Sequence, residues 1–316
     1  MNTSRFGKIL AVAFCLVWAV AAPATSRAGA PAPVHDGMLA IGDFMTGEVY
    51  VLNPDGTHFA QVTHGAPAGQ SFSPSWAPDG IHLVFSFFKN NVTEIYVMAS
   101  DGTGRHRVRN EPARFNDDTA QYFPSGTRLV FGRCRADGSG CRIATMRLDG
   151  TGLRYLTPPH HEVYDVTPTV SPDGRHIAFT RFNWHGVQAQ IWVMNRNGTR
   201  AHPVTPTAAM AFEPAWSPDS THLMYTSNCC RLGGNLTIVR RDGSHARTIT
   251  HTPYPLTSEN GVFAPTGGRV AFVSNRRHPD RCCLDLFTES LGTHHVHRVP
   301  LSLTHVGSVA WGRRPA

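Results

Sequence analysis

Ser75 to Val108 reads SWAPDGIHLVFSFFKNNVTEIYVMASDGTGRHRV, and its punctuation decides the fold. Two turn signals, Pro78-Asp79-Gly80 and Asp101-Gly102-Thr103, separate runs rich in Val, Ile, Phe and Tyr. Gly accepts positive φ and Asp caps its own turn, so each signal closes a tight hairpin. The apolar runs alternate or stay β-branched and aromatic, the pattern of buried and half-buried strands. The unit is copied along the chain. Its first turn recurs at Pro124, Pro172, Pro218 and Pro265, with steps of 46, 48, 46 and 47 residues. Its second ends at Gly56, Gly102, Gly150, Gly198, Gly243 and Gly292, with steps of 46, 48, 48, 45 and 49. A period in the forties holding four short strands is the mark of a propeller blade.

Counting blades requires setting the amino terminus aside. Arg5 and Lys8 precede an apolar run from Ile9 to Ala22, and small residues follow at Ala22-Pro23-Ala24 and Ser26-Arg27-Ala28. That order predicts a secretory signal over 1–28, cleaved after Ala24 or Ala28. The run of 14 residues is too short to span a bilayer comfortably. What remains of the 316 residues holds about six repeats. Residues 35–316 are therefore read as a single all-β domain, a six-bladed propeller, with no length left for a separate catalytic domain.

Four strands, a to d, are expected in each blade. In the second they are Phe72–Ala77, Leu83–Phe88, Glu94–Ala99 and His106–Arg109. The first repeat supplies only b, c and d, at Met38–Gly42, Val49–Leu52 and Phe59–Val62. Its strand a lies at the other terminus, where Ser308-Val309-Ala310-Trp311 matches Pro214-Ala215-Trp216-Ser217. The last strand should therefore complete the first blade, leaving no open seam. Trp76, Trp216 and Trp311 share one place before the first turn and read as packing residues.

The net charge is +7, and three cations (Arg5, Lys8 and Arg27) leave with the signal. The rest are scattered among strand ends, which gives no support to nucleic-acid binding. Six cysteines remain beyond the signal. An even number in an exported chain reads as disulfides. Cys134 and Cys141 flank a flexible loop and are expected to pair, while Cys229, Cys230, Cys282 and Cys283 lie in corresponding loops of neighbouring blades.

The SPDG-type turn, the Trp before it and the later DGT turn resemble the repeats of the TolB-like propeller family over essentially the whole mature chain. That resemblance implies the fold, and it implies a protein or peptide partner in the cell envelope or outside it. TolB proteins also carry an amino-terminal α/β domain for which this sequence has no counterpart. Related propellers precede the hydrolase domain of prolyl-oligopeptidase-like peptidases. Oligogalacturonate lyases, with seven blades, use histidines and a metal.

In such a fold the d-to-a and b-to-c loops share one face, around the mouth of the central channel. Binding residues concentrate on variable loops held by a rigid scaffold. Asp118, Asp165, Glu213 and Glu259 stand at roughly equivalent places before strand a and are expected to be acceptors at the mouth. His64, His161, His251 and His305 are expected around them. The same carboxylates have a structural reading, as partners for backbone N–H groups of the next blade. Imidazoles beside carboxylates are also a donor set for a transition metal. No local ligand motif occurs, so no cofactor is expected. There is no Gly-x-Ser-x-Gly elbow or phosphate loop, and His161-Glu162-Val163-Tyr164-Asp165 stops short of His-Glu-x-x-His. The expectation is an exported, periplasmic or secreted, monomeric module that binds a protein or peptide, with a cell-wall glycan second. It is not an integral membrane protein. The alternative is a metal-dependent polysaccharide lyase or hydrolase.

Overall fold

The computed structural model describes residues 34–65, 68–108, 114–160, 162–183, 188–228, 233–278 and 283–315. The chain opens with β1 (Asp36–Asp43), β2 (Glu48–Leu52) and β3 (Ala60–Gln61). Blade 2 is β4 (Gln70–Trp76), β5 (His82–Lys89), β6 (Val92–Ala99) and β7 (His106–Arg107). Blade 3 is β8 (Phe115–Tyr122), β9 (Arg128–Arg135), β10 (Arg142–Arg147) and β11 (Arg154–Tyr155). Blade 4 is β12 (Val163–Val170), β13 (His176–Asn183), β14 (Gln188–Asn195) and β15 (His202–Pro203). Blade 5 is β16 (Phe212–Trp216), β17 (His222–Ser227), β18 (Asn235–Arg240) and β19 (Arg247–Thr248). Blade 6 is β20 (Ser258–Phe263), β21 (Arg269–Ser274), β22 (Asp285–Ser290) and β23 (Val296–Arg298), and β24 (Val306–Arg313) follows.

These strands form six four-stranded sheets, and β24 lies beside β1 in the first. Ala40 pairs with Ala310 and Ile41 with Val309, and the Trp311 indole N–H donates to the Gly37 carbonyl at 3.2 Å. The ring is closed by its last strand, as the repeat arithmetic requires.

Strands b and c are apolar on both faces because both faces meet a neighbouring blade. Leu39 and Ile41 pack with Ala271, Val273 and Leu286 of blade 6. Ala40, Val49 and Val51 pack with Leu83 and Phe85 of blade 2. The fully buried Phe85, Phe131, Phe179 and Phe272 stand at one place in four strands b. The core is thus divided among the interfaces between blades. The tight turns join them too. Gly198 has φ +88°, and a Cβ there would come within 2.6 Å of the Leu156 carbonyl of the preceding blade. The Trp216 indole donates to the Thr169 carbonyl, again of the preceding blade, at 3.2 Å.

Strand d is shorter than expected, two residues in blades 1 and 2. A threonine takes over where the ladder stops. The hydroxyls of Thr63, Thr157, Thr205 and Thr250 accept the N–H groups of Val49, Ile143, Ile191 and Leu236 at 2.8, 3.1, 2.9 and 2.8 Å. A buried N–H needs a partner, and the hydroxyl supplies it while the main chain turns away.

Cys134 and Cys141 are bridged. Cys283 is disulfide-bonded as well. Cys229, Cys230 and Cys282 lie outside the described residues, as does the segment read as a signal. Replacing Cys134 and Cys141 together by serine should lower stability by about 2 kcal/mol, from the loop entropy released to the unfolded chain. Urea unfolding without reductant checks this: the variant's midpoint should fall below the parent's by the corresponding amount.

Candidate functional site

The geometry of the channel comes from one irregularity repeated in strand a. Ser73, Thr119, Thr167, Glu213 and Asn260 have φ of 48, 49, 48, 58 and 54°. Each sits at a break in the pairing of strand a with strand b. Left-handed backbone is strained in these residue types and persists where surroundings over-determine it. Here the surroundings are the previous blade. The N–H groups of Thr119, Glu213 and Asn260 donate to the hydroxyls of Ser86, Thr180 and Thr226, at 3.1, 3.2 and 3.2 Å. These hydroxyls occupy one place, the fourth residue of strand b counted from Leu83, Ile177 and Leu223. The five left-handed residues, with Gly307 of blade 1 and Phe44, line a channel of about 240 Å³.

The four carboxylates fall into three different situations, so they do not form one ring. Asp165 is fully buried. Its two oxygens accept from Arg181 Nε and Nη2 at 2.7 and 2.9 Å, an internal ion pair rather than a mouth acceptor. Asp117 repeats this in blade 3, accepting from Arg133 Nε at 2.6 Å. Asp118 and Glu259 share the next place, one residue before the left-handed one. The Asp118 carboxylate lies above Gly132, 3.0 Å from where a Cβ there would be, and accepts from the Thr119 hydroxyl at 3.2 Å. Glu213 is itself the left-handed residue of its blade and lines the channel. Its Oε2 accepts from the Thr226 hydroxyl and the Asn260 N–H, both at 3.2 Å, which ties blade 5 to blade 6.

Asp118, Glu213 and Glu259 keep only part of their surface exposed, and protein surrounds them. Burial pushes Asp118 up to about 6, with the Asp117 charge adding to it. Burial, then the Glu259 charge, pushes Glu213 up to about 7, and burial raises Glu259 too. The folded protein therefore holds protons that the unfolded chain releases first. The contribution of these three acids to stability should be greatest below the unfolded glutamate value near 4.5 and fall as pH rises from there to about 7. Glu213→Gln should flatten that fall, so its melting temperature should exceed the parent's at pH 8 and match it at pH 4. Identical pH profiles would show that Glu213 keeps an ordinary affinity for its proton.

The histidines do not converge. His64 and His251 are exposed, and His64 lies 3.2 Å from Gln61 Nε2. His305 meets the Thr304 hydroxyl at 3.1 Å, and none of the three is among the channel-lining residues. His161 lies outside the described residues. Among the described residues no three His, Cys, Asp or Glu come together as a metal group.

Exposed apolar side chains occur in the loops of the same face. Phe44 is 62 % and Met45 70 % exposed, at the β1–β2 hairpin, and Tyr254 is 65 % exposed in the loop before β20. The Phe44 ring lies where a Gly307 side chain would be, directly over the channel. Sequence reasoning passed over Phe44 and Met45. Their signal was faint: two large apolar residues in a b-to-c hairpin tip, where blades 2 and 3 carry Lys89-Asn90-Asn91 and Asp137-Gly138-Ser139.

The ring of four-stranded sheets, closed by the last strand around a polar channel, defines a six-bladed β-propeller. The TolB beta propeller domain model matches residues 25–184, and the chain belongs to that family. No curated protein matches the chain. Among solved structures, TolB from Acinetobacter baumannii aligns at a TM-score of 0.69 and 16 % identity, over 87 % of this chain and 66 % of that one. A putative TolB from Agrobacterium tumefaciens aligns at 0.65 and 18 % identity, over 89 % and 98 %. An oligogalacturonate lyase in complex with manganese aligns at 0.56 and 11 % identity, over 84 % and 72 %. At such identities these likenesses speak for the fold. The chain spans about two thirds of the Acinetobacter protein. Among the described residues no helix is long and apolar enough to cross a membrane.

Proposed function

We propose that the chain is an exported binding module that receives a protein or peptide at the mouth of its channel. The observation that carries this reading is the mouth itself, where exposed Phe44, followed in the chain by exposed Met45, overhangs a channel lined by Glu213 and Asn260. Exposed apolar side chains around a polar centre suit a macromolecular partner. The channel, at about 240 Å³, falls below the usual size of a small-molecule site. It suits a single side chain offered by a partner. Membership of the TolB propeller family supports the choice of a protein, and a cell-wall glycan is the second choice. Export to the periplasm or beyond rests on the reading of residues 1–28. The lyase reading draws only on a shared fold, and among the described residues no group of three metal-ligating side chains favours it.

The test is cross-linking capture from envelope and culture supernatant, with the mature protein as bait beside a Phe44→Ala, Met45→Ala variant. A protein retained by the parent and lost by the variant is the expected result. Equal capture by both would overturn the assignment of the mouth, and retention of a glycan instead would overturn the choice of partner.

A further inference from the structure

In four blades a guanidinium lies over the strand-b phenylalanine: in blade 2 it is Arg105, from the turn between strands c and d, 5.3 Å from the Phe85 centroid. Arg133 sits over Phe131, Arg181 over Phe179 and Arg276 over Phe272, at 5.5, 5.5 and 5.1 Å from the ring centroids. In blades 3 and 4 the cation is held by the strand-a residue directly opposite, Asp117 or Asp165. The matching pair in blade 6 is Ser274 opposite Ser258. There the guanidinium comes from Arg276, two residues further along. It reaches back so that Nη2 donates to the Ser258 hydroxyl at 3.1 Å and Nε to the Ser274 hydroxyl at 3.3 Å. The cation has kept its place and the carboxylate has become a hydroxyl.

The electrostatics differ accordingly. Burial lowers the pKa of Arg133, but its bonds to Asp117 outweigh this and the net shift is upward. Burial also lowers that of Arg276, the Glu289 charge opposes this only in part, and the net shift is downward. Hydroxyls solvate a guanidinium but do not neutralise it. Among the described residues no carboxylate is ion-paired with Arg276, whose side-chain hydrogen bonds go to Ser274, Thr252 and Ser258.

Arg276 is not sealed in. It lines a cleft of about 650 Å³ between blades 5 and 6, together with Arg247, His251, Thr252, Glu289 and His294. Glu289 is 2 % exposed and its Oε1 faces His294 Nδ1 at 3.2 Å, so the one acid of the cleft already has a partner. The two arginines leave an excess of positive charge.

We propose that this cleft is a carboxylate-binding site, in which an acidic side chain of a bound peptide takes on Arg276 the place that Asp117 and Asp165 hold in blades 3 and 4. The planar guanidinium supplies paired donors, and the Thr252 hydroxyl beside it a third. The peptide as the source of the carboxylate rests on the binding-module reading above. The carboxylate chemistry does not.

The test is ligand-observed NMR on the mature protein, with acetyl-Gly-Glu-amide against the isosteric acetyl-Gly-Gln-amide at fixed ionic strength. Saturable binding of the glutamate peptide alone is expected. Arg276→Gln should weaken it at least tenfold. Ser258→Asp, which restores an internal partner, should do the same while raising the melting temperature. Glu213→Gln should leave it unchanged, which separates this site from the channel mouth. Equal binding of the two peptides, or binding that survives Arg276→Gln, would overturn the proposal. Where Ser258→Asp fails to fold, Arg276→Gln alone decides.

Discussion

Ending the chain before Ser308 should abolish cooperative folding. The deletion removes Val309 and Trp311, both buried against blade 6 and strand β1, together with the ladder to Ala40 and Ile41. Truncating a buried Trp alone costs about 3–5 kcal/mol, and the lost strand adds apolar burial at ~25 cal/mol per Å² and several hydrogen bonds. That sum approaches the entire stability of a typical domain, about 5–15 kcal/mol. It also leaves the β1 edge open for pairing with other chains. Thermal unfolding followed by circular dichroism should show a broad, early transition, and size exclusion should show aggregates. A melting temperature equal to the parent's would mean that β24 does not close the ring.

Asp165→Ala should be the most damaging single substitution among the acids considered. It strands the Arg181 guanidinium over Trp192 and Phe179 with its side chain 19 % exposed and its counter-charge gone. Breaking a buried pair from one side costs about 3–5 kcal/mol, whereas replacing both partners by apolar groups is often near neutral. Asp165→Ala should therefore lose stability, and adding Arg181→Met should restore most of it, as read by the urea midpoint. A site acting as a mouth acceptor would behave in the opposite way, with stability kept and partner capture lost.

The contrast shows where the sequence was readable. Blade number, closure and turn positions followed from Gly, Pro and Asp, whose backbone demands are local and repeat with each blade. The channel did not follow, because Ser73, Thr119, Thr167, Glu213 and Asn260 differ in chemistry and are alike only in backbone geometry. The repeat placed the carboxylates at roughly equivalent positions in four blades. Yet a shift of one residue in a strand turns a side chain to the other face. Asp165, Asp118 and Glu213 therefore met an arginine, a glycine and the channel respectively. The Ser and Thr of strand b were visible at 86, 180 and 226, but their partners lie in the next blade, beyond any pattern within one repeat.

The ring's fastening also sets a timetable. The bond from Trp311 to Gly37 spans 274 positions, nearly the whole chain, and contacts so distant in sequence form late and slowly. Blades 2 to 6 can assemble from neighbouring segments as they emerge. Blade 1 waits, its β1 uncovered, until the final residues arrive. A chain cut short by a premature stop would carry five finished blades and one exposed strand, a lesion that proteases and chaperones can recognise by its open edge.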